Sequence, residues 1–333
     1  MRPRDEARGA ARRSEGRALA ASLALVSLVL AAAASPAAAD EAIFRLEDPR
    51  GDDYGDGTLR YPLGYYDLRA GDLDIVRFEA RRRRGATEFE VTFAAPVKSP
   101  EGRTIDVGGG QMQQIAREGF YGVNLDVYVD TDRRDGSGGV RTLPGRKAVV
   151  AGDSAWERAI VLTPRPADAR SSLRRILLKN LRRELAASGG SAIDADRLRE
   201  NAPDELERRV YFPNRVRVVG SRIRFSVPDE FLGGPARADW GYVVFSSGAD
   251  IDQRFSLPEL VGGTAEEGLF ILPAAPGGAA DRFGGRRDDD RGQPPIVDLL
   301  VPPGQSQERI LSDYALDGSR PVALPGIVPA EVK

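Results

Sequence analysis

The feature that most constrains the fold is an alternation of apolar and polar residues in short runs. Residues 76–80, 89–93 and 123–129 all alternate in this way. Because successive side chains of a β-strand point to opposite faces, this period predicts half-buried strands. The chain also contains 37 Gly and 23 Pro, which suits many turns between short strands better than long helices.

The runs also predict how neighbouring strands pair. Residues 76–80 and 89–93 would form a hairpin around the basic turn Arg81–Arg84, and residues 216–219 and 223–227 would form another that turns at Gly220-Ser221. Tyr242–Phe245 and Ile296–Val301 are almost continuously apolar, which is typical of central strands covered on both faces. The predicted fold class is all-β, a two-sheet, largely antiparallel β-sandwich with a jelly-roll-like arrangement.

One segment departs from the strand pattern and predicts a helical insertion over residues 164–209. Between Ala169 and Ser188, apolar residues recur at helical spacing on one face, with Arg and Lys on the other. Gly189-Gly190 would end this helix, and a shorter one is predicted over residues 194–200. The insertion could be a lid over one end of the core, which we favour, or a basic amphipathic helix for a membrane or an acidic partner.

The amino terminus has the layout of a signal peptide. Residues 1–17 are rich in Arg, residues 18–34 are apolar, and Ala37–Ala39 supply small residues before a predicted cleavage point. An uncleaved membrane anchor is the alternative, but the apolar run is short and consists largely of Ala. We therefore expect export to the periplasm, the cell surface or the medium, with no stable membrane insertion after cleavage of residues 1–39.

Composition excludes several classes of function. The chain has no Cys and no His, which removes disulfides, thiol catalysis, the usual general base and the usual zinc ligand. Removal of the first 39 residues, which hold six Arg and three acidic residues, changes the net charge from −2 to −5. A mildly acidic surface argues against nucleic acid as a partner.

A dense acidic turn opens the predicted mature chain and is the first candidate metal site. Its carboxylates are crowded between glycines, and a bound cation, nearby Arg or solvation must offset their repulsion. Calcium prefers such oxygen ligands on turns that fold back on themselves. The alternative is an Asx turn, in which Asp side chains bond nearby backbone N–H groups. The candidate calcium ligands are Asp48, Asp52, Asp53, Asp56 and Asp67.

A second acidic loop follows the run at residues 123–129. It carries Asp130, Asp132 and Asp135 and resembles the start of an EF-hand loop, but its third Asp stands one place late and Arg134 takes a ligand position. No Glu follows at the required distance. Local Asx turns are therefore the favoured interpretation here, and a cation is the weaker one.

Two motifs carry a family resemblance. Residues 48–62, DPRGDDYGDGTLRYP, and residues 296–314, IVDLLVPPGQSQERILSDY, resemble the signatures of the C-terminal domain of glucodextranase, which also recurs at the ends of amylopullulanases. The resemblance covers roughly residues 42–316. It implies a β-sandwich related to family-nine carbohydrate-binding modules and DOMON-like domains, spanning residues 40–320. Residues 274–294 would be a flexible loop and residues 321–333 a C-terminal tail.

The resemblance also implies a ligand. Carbohydrate-binding modules stack sugar rings on Trp or Tyr faces. The candidate residues are Tyr61, Tyr65, Tyr66, Trp156 and Trp240. Each of these aromatics has core packing as its alternative, and for the two tryptophans, which stand beside apolar strands, core packing is favoured.

The predicted function is that of an exported, non-catalytic, calcium-stabilised module that binds carbohydrate or the cell envelope. Its ligand would be an α-glucan or an envelope polysaccharide. One alternative is a structural or surface-layer-like envelope protein with a protein partner, and another is a glucan hydrolase accessory with residual activity. Haem binding, suggested by the DOMON likeness, is disfavoured without His. No catalytic residue is predicted, because the sequence contains no nucleophile elbow, Walker loop or zinc motif.

Overall fold

The structure is a computed structural model, and it describes residues 42–62, 68–100, 118–187, 204–250, 269–276, 282–285 and 290–330. The predicted signal peptide, Tyr65, Tyr66, Asp67 and the predicted helix at 194–200 lie outside these residues. The strands are β1 (Ala42–Glu47), β2 (Ile75–Arg83), β3 (Ala86–Phe93), β4 (Val123–Asp130), β5 (Ala148–Val150), β6 (Arg158–Leu162), β7 (Val210–Tyr211), β8 (Val216–Val219), β9 (Arg222–Pro228), β10 (Gly241–Gly248), β11 (Ala274–Pro276), β12 (Phe283–Gly285), β13 (Asp298–Leu299) and β14 (Val322–Leu324). The helices are α1 (Pro166–Ala187), α2 (Asp229–Leu232) and α3 (Gln307–Leu311), with a 3-10 turn at Gly152–Ser154.

Two five-stranded sheets confirm the predicted all-β sandwich. The first has the order β1-β2-β3-β9-β8 and is antiparallel throughout. Both predicted hairpins are present in it. Three of its strands meet through stacked rings: Phe78 lies 5.5 Å from Phe89, which lies 5.7 Å from Phe225. Burying each such ring contributes about 1.5–3 kcal/mol.

Two details of the first hairpin differ from the sequence prediction. Arg81–Arg83 belong to β2, so the turn is only Arg84-Gly85. A register shift between Ile75 and Arg77 changes the alternation at the start of the strand, and Ile75 rather than Val76 is buried. A bulge of this kind cannot be read from the period alone, because it moves one residue to the other face.

The second sheet has the order β13-β10-β4-β6-β7 and is antiparallel except for the parallel pair β6 and β7. All residues of β4 and β10 are buried. One face of this sheet packs in the first hydrophobic core against the first sheet, and the other face lies in a second core. The prediction of a central strand is confirmed for Tyr242–Phe245. For Ile296–Val301 the predicted burial is confirmed except at Val301, but the central position is wrong, because β13 lies at the sheet edge.

The predicted helix is present as α1, and it covers the outer face of the second sheet rather than one end of the sandwich. Its first half supplies three residues of the second core, Ala169, Leu173 and Ile176, and also buries Ser172. Residues 204–209 are also helical, and Leu206 joins the same core. This layer explains why both faces of β4 and β10 are buried.

Parts of two predicted surface segments belong to the described fold. In the predicted flexible loop 274–294, β11 and β12 pair in parallel, Phe283 is fully buried, and Gln293 is buried as well. In the predicted tail, β14 pairs with β5, and Ile327 exchanges backbone hydrogen bonds with Tyr242. Backbone hydrogen bonds to distant residues hold both segments, since Gly284 bridges to Arg60 and β14 pairs with β5.

Candidate functional site

The acidic turn that follows β1 is held in place by backbone hydrogen bonds to distant strands. The N–H of Gly51 donates to Oδ2 of Asp74 at 2.7 Å, and the N–H of Gly55 donates to the carbonyl of Val297 at 2.8 Å. Gly55 has a φ of +58°, and a Cβ atom there would stand 2.7 Å from the carbonyl oxygen of Ile296. Glycine is therefore required for the turn to approach the strand that carries Asp298.

Three carboxylates converge at this point. Asp48, Asp52 and Asp298 each offer one oxygen, and these oxygens lie within 4.8 Å of one another. Asp298 is fully buried on β13, and its Oδ2 accepts a hydrogen bond from the N–H of Ile75. We call these three residues, with the neighbouring Asp53 and Asp74, the acidic cluster. It joins the turn that follows β1 to β13, at the edge of the second sheet.

The acidic cluster contains unsatisfied oxygens. One carboxylate oxygen from each of its members is buried and accepts no hydrogen bond from the described residues: Asp48 Oδ2, Asp52 Oδ1, Asp53 Oδ1, Asp74 Oδ1 and Asp298 Oδ1. A buried polar atom without a partner typically costs about 1–3 kcal/mol, and more when it is charged. Asp48, Asp52 and Asp298 each bring an oxygen close enough to share a hard divalent cation such as calcium, which takes six to eight oxygen ligands.

The pKa values reflect the same crowding. Burial, followed by the charges of Asp52 and Asp74, raises the pKa of Asp48 to about 8. Burial, opposed by the N–H of Gly51 and reinforced by Asp53 and Asp52, raises the pKa of Asp74 to about 6. The pKa of Asp298 lies well above its ordinary value, again chiefly through burial and then through Asp48. Without a cation, the acidic cluster therefore retains protons at neutral pH.

The two other described ligand candidates of the first turn, Asp53 and Asp56, accept hydrogen bonds from groups outside the acidic cluster. Oδ2 of Asp53 accepts hydrogen bonds from the Tyr61 hydroxyl and, at 2.6 Å, from the N–H of Gly71. Asp56 accepts from Thr58 N at 3.0 Å and from Gln293 Nε2 at 3.0 Å, which is Asx-turn chemistry extended by a distant amide. Asp56 is thus satisfied within the protein, whereas Oδ1 of Asp53 is buried and has no donor among the described residues.

The two signature motifs meet around the acidic cluster. Gln307 donates through Nε2 to the carbonyl of Asp52 at 2.5 Å, and its Oε1 accepts from the N–H of Leu299 at 2.5 Å. The Tyr314 hydroxyl lies 2.6 Å from Asp290 Oδ2 and 3.3 Å from Asp56 Oδ2. Side chains of the last motif therefore hold the backbone of the first, which gives both motifs a structural role in one site.

The second acidic loop is arranged differently. Oδ1 of Asp130 accepts from the N–H of Arg133 at 2.6 Å, and Oδ1 of Asp132 accepts from the N–H of Arg134 at 3.1 Å. Asp130 and Asp132 come within 4.8 Å of a carboxylate oxygen of Glu157, while the predicted third member, Asp135, is exposed. Glu157 binds Thr131 N through Oε2 at 2.8 Å, and its Oε1 is buried without a donor among the described residues. The Asx turns of the favoured interpretation are present here.

The three predicted aromatic residues that the structure describes occupy buried or shielded positions. Trp156 and Trp240 are 6% and 7% exposed, and Trp156 packs 5.2 Å from Tyr128 in the second core. Tyr61 packs against Phe283 at 5.5 Å while its hydroxyl bonds Asp53. Sugar stacking on these three residues stays a prediction, and the geometry agrees with their alternative role in packing.

Sequence reasoning missed Asp74, Asp298 and Glu157. A signal was present for Asp298, because a single acid inside the apolar run IVDLLV must be buried with a partner. Asp74 stands immediately before β2, and Glu157 immediately before β6. Nothing in the sequence indicates which loop each of these two residues faces.

The chain matches a known protein family over most of its length. A family model described as the C-terminal binding module, SLH-like, of glucodextranase matches residues 43–326. The match includes both sheets and all the residues of the acidic cluster. A search of curated proteins finds no match. Among the described residues, no helix is long and apolar enough to cross a membrane.

Proposed function

The chain belongs to the family of SLH-like C-terminal binding modules of glucodextranase, and from this we propose that it is an exported, non-catalytic module that binds carbohydrate or the cell envelope. The family match carries this proposal, since it spans residues 43–326 and therefore the whole sandwich. The ligand would be an α-glucan or an envelope polysaccharide. Export would depend on the signal peptide predicted over residues 1–39.

Calcium stabilisation is the second part of the proposal. The five buried carboxylate oxygens without donors support it, because a cation would supply the positive charge that the surrounding backbone does not. Asp48, Asp52 and Asp298 would hold the ion, with Asp53 and Asp74 beside it. Since Asp298 lies on β13 and Asp48 follows β1, the ion would fasten the first motif to the last.

A structural role in the envelope is the second candidate function. The SLH-like description of the family favours it, and in that case the partner would be an envelope protein rather than a glycan. The two roles differ in what the purified protein captures, so one binding experiment separates them.

The binding experiment uses the purified protein with insoluble starch, cross-linked dextran and peptidoglycan, each in calcium and in chelator. Retention on at least one polysaccharide supports a carbohydrate-binding module. Retention on none of them, with capture of an envelope protein instead, would favour the structural role. A reducing-sugar assay on dextran and pullulan in parallel checks the non-catalytic part, which release of sugar would contradict.

The calcium experiment is thermal unfolding of the same protein with calcium and with chelator. A ligand that binds only the folded state stabilises it by about 2.7 kcal/mol at a hundredfold excess over Kd. For a chain of this size that corresponds to a rise of several degrees in Tm. An unchanged midpoint would refute the calcium proposal and leave the binding proposal standing.

A further inference from the structure

A surface cleft lies apart from the acidic cluster, where α1, residues 204–211 and the end of β9 meet. Its volume is about 410 Å³, within the range of about 300–1,000 Å³ that is usual for small-ligand sites. Its lining includes Arg158, Arg170, Arg208, Tyr211 and Phe231. No residue of the acidic cluster lines this cleft.

Two of its arginines have no carboxylate partner among the described residues. Arg158 is held in place by hydrogen bonds from Nε to the carbonyl of Phe231 at 2.6 Å and from Nη1 to the carbonyl of Glu157 at 3.2 Å. Its Nη2 donates to no acceptor in the described part of the chain. Arg170 is exposed on α1, with its guanidinium 5.9 Å from the ring of Phe212. Backbone carbonyls therefore hold Arg158 in place without neutralising its charge, and Arg170 adds a second, exposed charge to the lining.

The remaining lining suits a sugar. The rings of Tyr211 and Phe231 lie 5.2 Å apart at an angle of 39°, and both are partly exposed. The hydroxyl of Tyr211 makes no hydrogen bond with the described residues, so it is available to a ligand. Glu207 and Glu230 also line the cleft and supply acceptors for hydroxyl groups. Arg208 has only an exposed pair with Glu205, at 3.0 Å, which contributes little.

We propose that this cleft binds an acidic sugar, a pyranose that carries a carboxylate. Guanidinium groups recognise carboxylates through paired, charge-assisted hydrogen bonds, and aromatic rings pack against the apolar face of a pyranose. A neutral glucan offers the rings a partner but gives the two unpaired arginines no anion. The inference rests on the proposed binding function and names the ligand class for it.

The test measures binding of trigalacturonate and of maltotriose by calorimetry, for the parent protein and two variants. Arg170→Gln removes a cleft charge. Arg174→Gln is the matched control, because Arg174 is exposed one turn further along α1 and is not part of the cleft lining. We expect Arg170→Gln to weaken trigalacturonate binding about tenfold or more and Arg174→Gln to change it less than about twofold. Thermal unfolding checks that both variants are folded.

The outcomes separate this inference from the proposed function. If both substitutions weakened trigalacturonate binding equally, the general positive charge of α1 would be what attracts the ligand. That result would overturn the cleft as the binding site and leave the proposal of carbohydrate binding standing. If the protein bound maltotriose but not trigalacturonate, only the proposal that the ligand is an acidic sugar would be overturned. Absence of binding to either sugar, together with no retention on any polysaccharide, would overturn both proposals.

Discussion

The acidic cluster and the second acidic loop contain similar residues in different surroundings. In the loop, backbone N–H groups within three residues reach Asp130 and Asp132, so the chain satisfies most of its own carboxylates. In the acidic cluster the oxygens come from β13 and from turns far apart in the chain, and five of them meet no donor, against one in the loop, at Glu157. The number of acids thus does not indicate a cation site, whereas a shortage of local N–H donors to their carboxylates does.

Asp298→Asn should change the calcium response of the protein more than any other substitution considered below. The substitution retains an oxygen that can accept from Ile75 N but removes the charge from the most buried member of the acidic cluster. We expect the calcium-dependent gain in the free energy of unfolding, about 2.7 kcal/mol at a hundredfold excess over Kd, to disappear. In chelator the variant should be about as stable as the parent, because the metal-free acidic cluster already retains protons at neutral pH and little repulsion remains to be relieved.

Denaturant unfolding of parent and variant, each in calcium and in chelator, measures both effects. Asp132→Asn, in the second loop, is the control and should respond to calcium like the parent. A full calcium response in Asp298→Asn would contradict the assignment of this residue as a ligand.

Gln307→Ala tests how the acidic cluster is supported. Loss of the side chain leaves the N–H of Leu299 without an acceptor and removes one of two donors to the carbonyl of Asp52, which still accepts from Tyr54 N. This should cost about 2 kcal/mol of unfolding free energy. Calcium should also bind more weakly, since the backbone that carries Asp52 is no longer held. Gln305→Ala, an exposed neighbour, serves as the matched control in calorimetric titration with calcium; equal losses in the two variants would show that Gln307 has no special role.

The pH dependence of stability should differ between the metal-free and the calcium-bound protein. In chelator, the raised pKa values of about 8 for Asp48 and about 6 for Asp74 mean that the folded state holds more protons than the unfolded state above about pH 4. Stability is therefore fully present below about pH 4 and falls as pH rises through 6 and 8. Calcium, which binds the deprotonated carboxylates, should reduce or reverse this fall.

Urea unfolding at pH 5, 6, 7 and 8, with and without calcium, tests this prediction. A metal-free protein whose stability rises steadily from pH 5 to pH 8 would contradict the raised pKa values of the acidic cluster.

Asp132→Ala should have the smallest effect. It removes hydrogen bonds from the N–H of Arg134 and from the Ser137 hydroxyl in an exposed turn, at a cost of about 0.5–1 kcal/mol. The shift in Tm caused by calcium should equal that of the parent. A reduced shift would show that the second loop also holds a cation and would remove the contrast between the two regions.

Much of the first sheet could be predicted from local pattern. The hairpins β2–β3 and β8–β9 follow from alternation and from Gly at the turns, because strands joined by two residues have few other partners. The pattern did not show that the segments around β12 and β14 are ordered. Their strands have three residues each, and their distant contacts join β14 to β5 and Gly284 of β12 to Arg60, so short-range periodicity carries no signal for them.

The sequence by itself determined the fold class, the helical character of α1 and the presence of an acidic turn, since each depends on residues within a few positions of one another. Only the tertiary structure decided which acids meet. Asp298 reaches Asp48 and Asp52 because β13 pairs with β10 at the edge of the second sheet, and Gln307 reaches Asp52 across 255 positions of sequence. A site built from contacts at that separation depends on sheet order, and local residue patterns do not encode sheet order.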